Sequence, residues 1–256
     1  VINCNGCGVT DCGKERNKKK NESDATTIAV NNNNGSLTNI DPSKLSFKFA
    51  VSWPLGFCKI NTCSQKPADL PKIFTIHGLW PNYNGQCTDS AEQYDFTKLS
   101  SIYANLKKYW PNIKSSMRPE QFWGNEWTKH GVKCNLFTVK GYFDEALRLY
   151  GQVQSGLNLL TQEPLKTTVD SIRGLRAFQG KKPFVLCKEV SVGKQRINYL
   201  EELRFCLNGN REFIDCEPQA SQDRFCSKQF KYSATLRESL LGMVADQEEF
   251  IEGVVA

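Results

Sequence analysis

The chain has 256 residues, 39% hydrophobic and 23% charged, with a net charge of +6, 11 cysteines and two histidines. Those proportions are those of a globular chain, and the length holds one large unit with extensions or two modest ones. The longest apolar stretches, such as Phe184-Val185-Leu186-Cys187, are far short of the roughly 20 residues of a membrane-spanning helix, so that class is excluded.

Residues 1–45 stand apart. Cys4, Cys7 and Cys12 lie among glycines, followed by Lys18-Lys19-Lys20 and the Asn31 to Asn34 run. Low hydrophobicity and turn-forming residues predict a loose arm that does no chemistry. Sequons at Asn21 and Asn34 fall in this arm, where a glycan is tolerated. Three thiols without a nearby histidine make a poor closed zinc site, so a local disulfide plus one remaining thiol is expected there rather than a metal. The chain opens at Val1 with neither a basic nor an apolar leader region, which fits a signal peptide already removed.

Residues 46–232 carry the core. Phe47, Phe49, Val51 and Trp53 alternate as in a half-buried strand. Leu99, Ile102, Tyr103, Leu106 and Trp110 follow helical spacing up to Pro111, and Phe143, Ala146, Leu147 and Tyr150 do so after Gly141. Ile197, Tyr199, Leu203, Phe205 and Leu207 alternate again. Asn208-Gly209 then signals a hairpin turn before Phe213, with Cys206 and Cys216 flanking it closely enough to be bridged. Residues 233–256 form an acidic extension in which Leu236, Leu240, Leu241 and Val244 would share a helix face; its Gly253-Val254-Val255-Ala256 end fits a vacuolar sorting signal. Residues 46–232 hold 26 basic against 17 acidic residues, about +9, an excess that favours a polyanionic partner. So many cysteines point to an oxidising compartment, making the protein secreted or, alternatively, vacuolar.

Two segments carry the chemistry: Phe74-Thr75-Ile76-His77-Gly78-Leu79-Trp80-Pro81 and Phe122-Trp123-Gly124-Asn125-Glu126-Trp127-Thr128-Lys129-His130-Gly131. On a helix, Asn125, Glu126, Lys129 and His130 share a face, setting an amide, an acid, an ammonium and an imidazole side by side. An ordinary exposed helix with a Glu126/His130 pair would show the same letters. Cys87 lies ten residues after His77 and Cys134 four after His130, so a bridge between them would bring the imidazoles together, although spacing alone leaves connectivity open. Two histidines, one neutral and one charged, suit acid and base work without a metal or cofactor. Beside a basic cleft, such a pair can deprotonate an RNA 2′-hydroxyl and protonate the departing 5′-oxygen, chemistry that DNA cannot undergo. Trp80 and Phe122 would stack bases, or else simply pack the core.

His77-Gly78-Leu79-Trp80-Pro81 with Glu126-Trp127-Thr128-Lys129-His130-Gly131 resembles the two active-site segments of the ribonuclease T2 family, particularly its plant S-RNase and S-like members. Trp53-Pro54, Cys58, Cys63, Trp110-Pro111-Asn112, Cys187, Cys206, Cys216 and Cys226 follow in the family's order, so the resemblance covers about residues 46–232. It implies an α+β fold, an antiparallel β-sheet core flanked by helices and stapled by disulfides. It implies an endoribonuclease acting on single-stranded RNA through a 2′,3′-cyclic phosphate, as a monomer, without membrane, metal or cofactor. His130 would be the general base and His77 the general acid, with Glu126 and Lys129 stabilising the transition state. Trp80 would serve the 5′-side base and Asn112 with Phe122 the 3′-side base. The implied disulfides are Cys58–Cys63, Cys87–Cys134, Cys187–Cys226 and Cys206–Cys216.

The chain departs from the family pattern in places. Asn125 stands where many members have a third histidine that holds the phosphate. Replacing a charge-assisted hydrogen bond by a neutral one loses roughly 1–1.5 kcal/mol, about tenfold in rate, so attenuated activity is expected. Ser52 replaces a common glutamine, Lys114 sits beside the 3′-side base site, and Lys133 lengthens the interval to Cys134 by one residue. The competing expectation is a catalytically silent relative used for storage or binding.

Overall fold

The computed structural model describes residues 28–31, 37–114, 117–162, 172–192, 195–217 and 226. Cys4, Cys7, Cys12, the two sequons and the acidic extension lie outside the described residues. Within the span expected to be a loose arm, strands β1 (Ile28–Asn31) and β2 (Leu37–Ile40) form an antiparallel pair.

The main sheet is antiparallel and ordered β4-β3-β6-β5, from β3 (Leu45–Ser52), β4 (Thr75–Tyr83), β5 (Phe184–Val192) and β6 (Gln195–Asn208). The short strand β7 (Phe213–Ile214) pairs with the end of β6 through Cys206↔Ile214 and Leu207↔Phe213. The turn ahead of it is wider than a two-residue hairpin. Asn208 Oδ1 accepts from the backbone N–H of Asn210 and Glu212, and Arg211 takes a left-handed φ of 63°. Flanked by β4 and β6, strand β3 is more enclosed than the alternation predicts, with Ala50 and Ser52 buried as well as Phe47, Phe49 and Val51.

Helix α1 (Pro54–Ile60) begins where Pro54 fixes the first helical φ. The apolar spacing from Leu99 to Trp110 resolves into a tight 3₁₀ stretch, Phe96–Ile102, that runs into α2 (Tyr103–Tyr109). Then come α3 (Pro119–Glu126) and the long α4 (Val139–Gln162), which starts ahead of Gly141. Buried Phe49, Phe74, Leu79, Trp110, Tyr142, Phe143, Val153 and Phe205 join sheet and helices in one core. Burying each large apolar side chain contributes about 1.5–3 kcal/mol. The hydroxyls of Tyr142 and Tyr150 donate to the carbonyls of Leu79 (2.9 Å) and Phe74 (2.7 Å), so α4 grips β4 and the residue just before it by hydrogen bonds through the core.

Four disulfides staple this frame: Cys58–Cys63, Cys87–Cys134, Cys187–Cys226 and Cys206–Cys216. The fold is thus α+β, an antiparallel sheet flanked by helices.

Candidate active site

Two irregularities in the sheet build the site. In the β3–β4 ladder Ala50 faces Gly78 and Val51 faces Ile76, so His77 is an extra residue with no partner opposite. In the β5–β6 ladder Leu186 faces Glu202 and Cys187 faces Leu200, so Glu201 is extra in the same way. A bulge bends its strand and re-aims side chains. As a result the consecutive Glu201 and Glu202 both serve the site: Glu201 lines a cleft beside His77, and Glu202 lies beneath the imidazole. The bulge also breaks the alternation expected from Ile197 to Leu207. Leu200 is buried while Ile197 and Tyr199 are only partly so, because the extra residue reverses the phase of the strand.

Opposite the sheet, α3 passes into one turn of π-helix, Trp127–Gly131, closed by Val132 N–H donating to the Trp127 carbonyl at 3.1 Å. The expected α-helical face is thus interrupted by a wider turn, yet Asn125, Glu126 and Lys129 still turn to one cavity while His130 is not part of its lining. A run of indoles holds this segment to β4. Trp123 Nε1 donates to the Trp110 carbonyl at 2.8 Å, and Trp110 Nε1 donates to the His77 carbonyl at 3.0 Å. The Cys87–Cys134 bond joins the stretch after β4 to the stretch after the π turn.

Space for the side chains comes from small residues. Ala50 lies in register between Arg204 and Gly78, and a Cβ on Gly78 would overlap both the Trp80 indole nitrogen and the Glu126 carboxylate. In that gap Trp80 Nε1 donates to Glu126 Oε2 at 3.3 Å, and the Arg204 guanidinium sits 5.0 Å from the indole centroid. The indole touches both imidazoles, with centroids 5.1 Å from His77 and 5.6 Å from His130. The two histidines, 53 positions apart along the chain, thus flank one aromatic ring.

Their environments pull them apart electrically. Burial disfavours the charged form of His77, yet Glu202, by its charge and its hydrogen bond, outweighs this and raises the pKa above the usual 6.5. Glu202 Oε2 lies 2.5 Å from His77 Nδ1, and because a carboxylate only accepts, the imidazole N–H donates. Burial lowers the pKa of His130 to about 4, helped by the positive charges of His77, Lys129 and Lys133. The two shifts are opposite, so His77 holds its proton more tightly than a free imidazole and His130 less tightly. Burial raises Glu126, against the lowering pull of His77, the Trp80 N–H and Lys129.

A cavity of about 480 Å³ opens on one side of His77. Asn112, Phe122, Asn125, Glu126 and Lys129 line it with His77, and so do Ser52, Lys114 and Glu201. Trp80 and His130 are outside its lining; Trp80 packs against the lining residue His77, and His130 against the Trp80 ring. Asn112 is occupied within its own loop: Nδ2 donates to the Met117 carbonyl (2.9 Å) and Oδ1 accepts from Lys114 N–H (3.2 Å). Asn125 is exposed and its amide nitrogen lies 3.6 Å from the Met117 sulfur. Among the described residues no group of three or more His, Cys, Asp or Glu side chains has a metal-binding arrangement, and no helix is long and apolar enough to cross a membrane.

Sequence reasoning missed Glu201, Glu202 and Arg204. One signal was there: Glu202 and Arg204, opposite charges two apart in a strand, share the face turned away from Leu203 and Phe205.

Fold and cleft together define a disulfide-stapled α+β protein in which two imidazoles flank one indole beside a polar cavity. The chain belongs to the ribonuclease T2 family, whose model matches residues 45–216. It is 31% identical over 182 residues to ribonuclease MC of Momordica charantia, covering 67% of this chain and 93% of that protein. It is 28% identical over 180 residues to ribonuclease T2 of Danio rerio, covering 67% and 72%. The solved structure of ribonuclease MC1 from bitter gourd seeds matches with a TM-score of 0.59 at 28% identity, covering 73% of this chain and all of that one. An RNase MC1 mutant in complex with 5′-GMP matches at 0.60 and 29% identity, covering 73% of this chain and 100% of that one. RNase NT in complex with 5′-AMP matches at 0.58 and 26%, covering 73% and 97%.

Proposed function

We propose that this protein is an endoribonuclease that cleaves single-stranded RNA by attack of the 2′-hydroxyl on the adjacent phosphorus, leaving a 2′,3′-cyclic phosphate. The observation that carries this reading is the placing of two imidazoles against one indole, 5.1 and 5.6 Å from the Trp80 ring, where Glu202 hydrogen-bonded to His77 favours its charged form and burial favours the neutral form of His130. His130 takes the proton from the 2′-oxygen, that oxygen bonds to phosphorus, and the bond to the 5′-oxygen breaks as His77 supplies its proton. In the second step the roles reverse and water opens the cyclic ester. Protons balance between the two rings, so the reaction needs no metal or cofactor. Lys129 and Glu126, at the edge of the same cavity, stabilise the charged phosphorane-like state. Asn125 binds the phosphate without charge, which attenuates the rate.

Nucleotide complexes of the relatives support a nucleotide in the cleft, 5′-GMP in one and 5′-AMP in another. The half-buried Trp80 would meet the 5′-side base, and Phe122 with Asn112 the 3′-side base. The catalytic unit spans residues 46–232 and acts as a monomer. Four disulfides favour an oxidising destination, secreted or vacuolar.

The test is direct. RNA digested in the presence of a chelator is expected to yield cyclic-phosphate ends, and His130→Ala is expected to abolish them. Digestion that stops in chelator, or survives in His130→Ala, contradicts the reading.

A further inference from the structure

The reaction proposed above requires His77 to present one particular nitrogen to the leaving oxygen and to arrive carrying a proton. None of Glu126, Lys129 or His130 holds the ring in one orientation. Glu202 does. It is 4% exposed, absent from the cavity lining, and both its oxygens are committed: Oε2 to His77 Nδ1 and Oε1 to Arg204 Nε, each at 2.5 Å. Arg204 is in turn held against the face of Trp80, 5.0 Å from its centroid. A carboxylate buried outside the cavity lining is turned away from substrate, and its burial is offset by two cationic partners.

We propose that Glu202, clamped by Arg204, is the positioning residue that orients His77 as proton donor, committing Nδ1 to the carboxylate and leaving Nε2 for the 5′-oxygen. Its location follows from the bulge at Glu201, which turns two successive glutamates to the site, one into the cleft and one under the ring. His77 is faced by Glu202 and Arg204 from β6, by Glu126 from α3, and by Lys129 and His130 from the π turn, while Glu201 lines the cavity beside it. Of these, Glu202 alone is in hydrogen-bond contact with the ring among the described residues. The arrangement is the carboxylate–imidazole pairing by which a second group fixes tautomer and rotation.

This inference rests on the nuclease reading, so its test pairs catalysis with a measurement that needs none. Glu202→Gln keeps the shape and removes the charge. Expected are a fall in kcat of at least tenfold with KM changed less than threefold, and a basic limb of kcat/KM displaced to lower pH. The His77 ring signal in NMR should titrate at lower pH in the variant, substrate absent. Glu202→Asp keeps the charge at shorter reach, and is expected to retain the basic limb while losing several-fold in kcat; it serves if Glu202→Gln does not fold. A basic limb or His77 titration unchanged in Glu202→Gln, or full kcat in Glu202→Asp, overturns the proposal. A His77 titration that moves while wild-type protein forms no cyclic-phosphate ends overturns the nuclease reading instead.

Discussion

Trp80 and Glu126 are joined by a hydrogen bond, the indole Nε1–H donating to Glu126 Oε2 at 3.3 Å. The bond crosses from β4 to α3 and fixes the carboxylate in a gap that exists because residues 50 and 78 are alanine and glycine. Trp80 therefore has a second task beside any stacking: it supplies the donor that keeps a 6%-exposed carboxylate satisfied.

Trp80→Phe separates the two tasks. The ring face survives and the N–H is lost, leaving a buried acceptor short of a donor at about 1–3 kcal/mol. A drop in kcat of about ten- to hundredfold is expected with little change in KM. An increase in KM with kcat intact would show that the ring serves only binding.

Gly78→Ala is expected to cost at least a hundredfold in kcat/KM. A methyl there overlaps both partners of that hydrogen bond, the Trp80 indole nitrogen and Glu126 Oε2, so the pair has to move apart. Circular dichroism should remain that of a folded sheet while cyclic-phosphate formation collapses; retained activity would place Glu126 outside the reaction.

The pH profile follows from the two rings. The base must be neutral, so kcat/KM rises with pH through about 4, where His130 loses its proton. The acid must be charged, so the rate falls only as pH passes the raised value of His77, above 6.5. The product is a bell centred at mildly acidic pH. A rate flat from pH 4 to 9 would contradict the assignment of the two histidines.

Asn125→His is expected to raise kcat/KM about tenfold at pH 5. Asn125 is exposed at the cavity edge, its amide nitrogen 3.6 Å from the Met117 sulfur, so an imidazolium there adds a charge-assisted contact to phosphate worth about 1–1.5 kcal/mol over the amide. The gain should fade as pH rises and the new ring loses its charge. No gain at pH 5 would show that Asn125 does not meet the phosphate.

The disulfides should differ in what they contribute. Cys87–Cys134 closes a separation of 47 residues and Cys58–Cys63 one of 5. Loop entropy assigns about 4 and about 2 kcal/mol to them respectively. Paired Cys→Ser variants unfolded in urea should show the larger loss at Cys87 and Cys134; the reverse order would locate their stabilising effect in native contacts.

The sequence by itself determined the fold class and most of the cleft's chemistry. Alternation from Phe47 to Val51 marks a strand because its side chains divide between two faces, and Asn208-Gly209 marks the reversal before Phe213. The groups at His77, Glu126, Lys129 and His130 were legible because short segments carry them. Tertiary structure alone decided how those groups act. Glu202 is 125 residues from His77 and reaches it through a bulge, an extra residue that no hydrophobic period announces. The π turn likewise changes the relative directions of Glu126 and His130 without altering their letters. Proton affinity depends on burial and on charges a few ångströms away, and those neighbours are set by the packing of β6 and α3 against β4. Two imidazoles were therefore legible as residue types, but the environments that separate them came only with the fold.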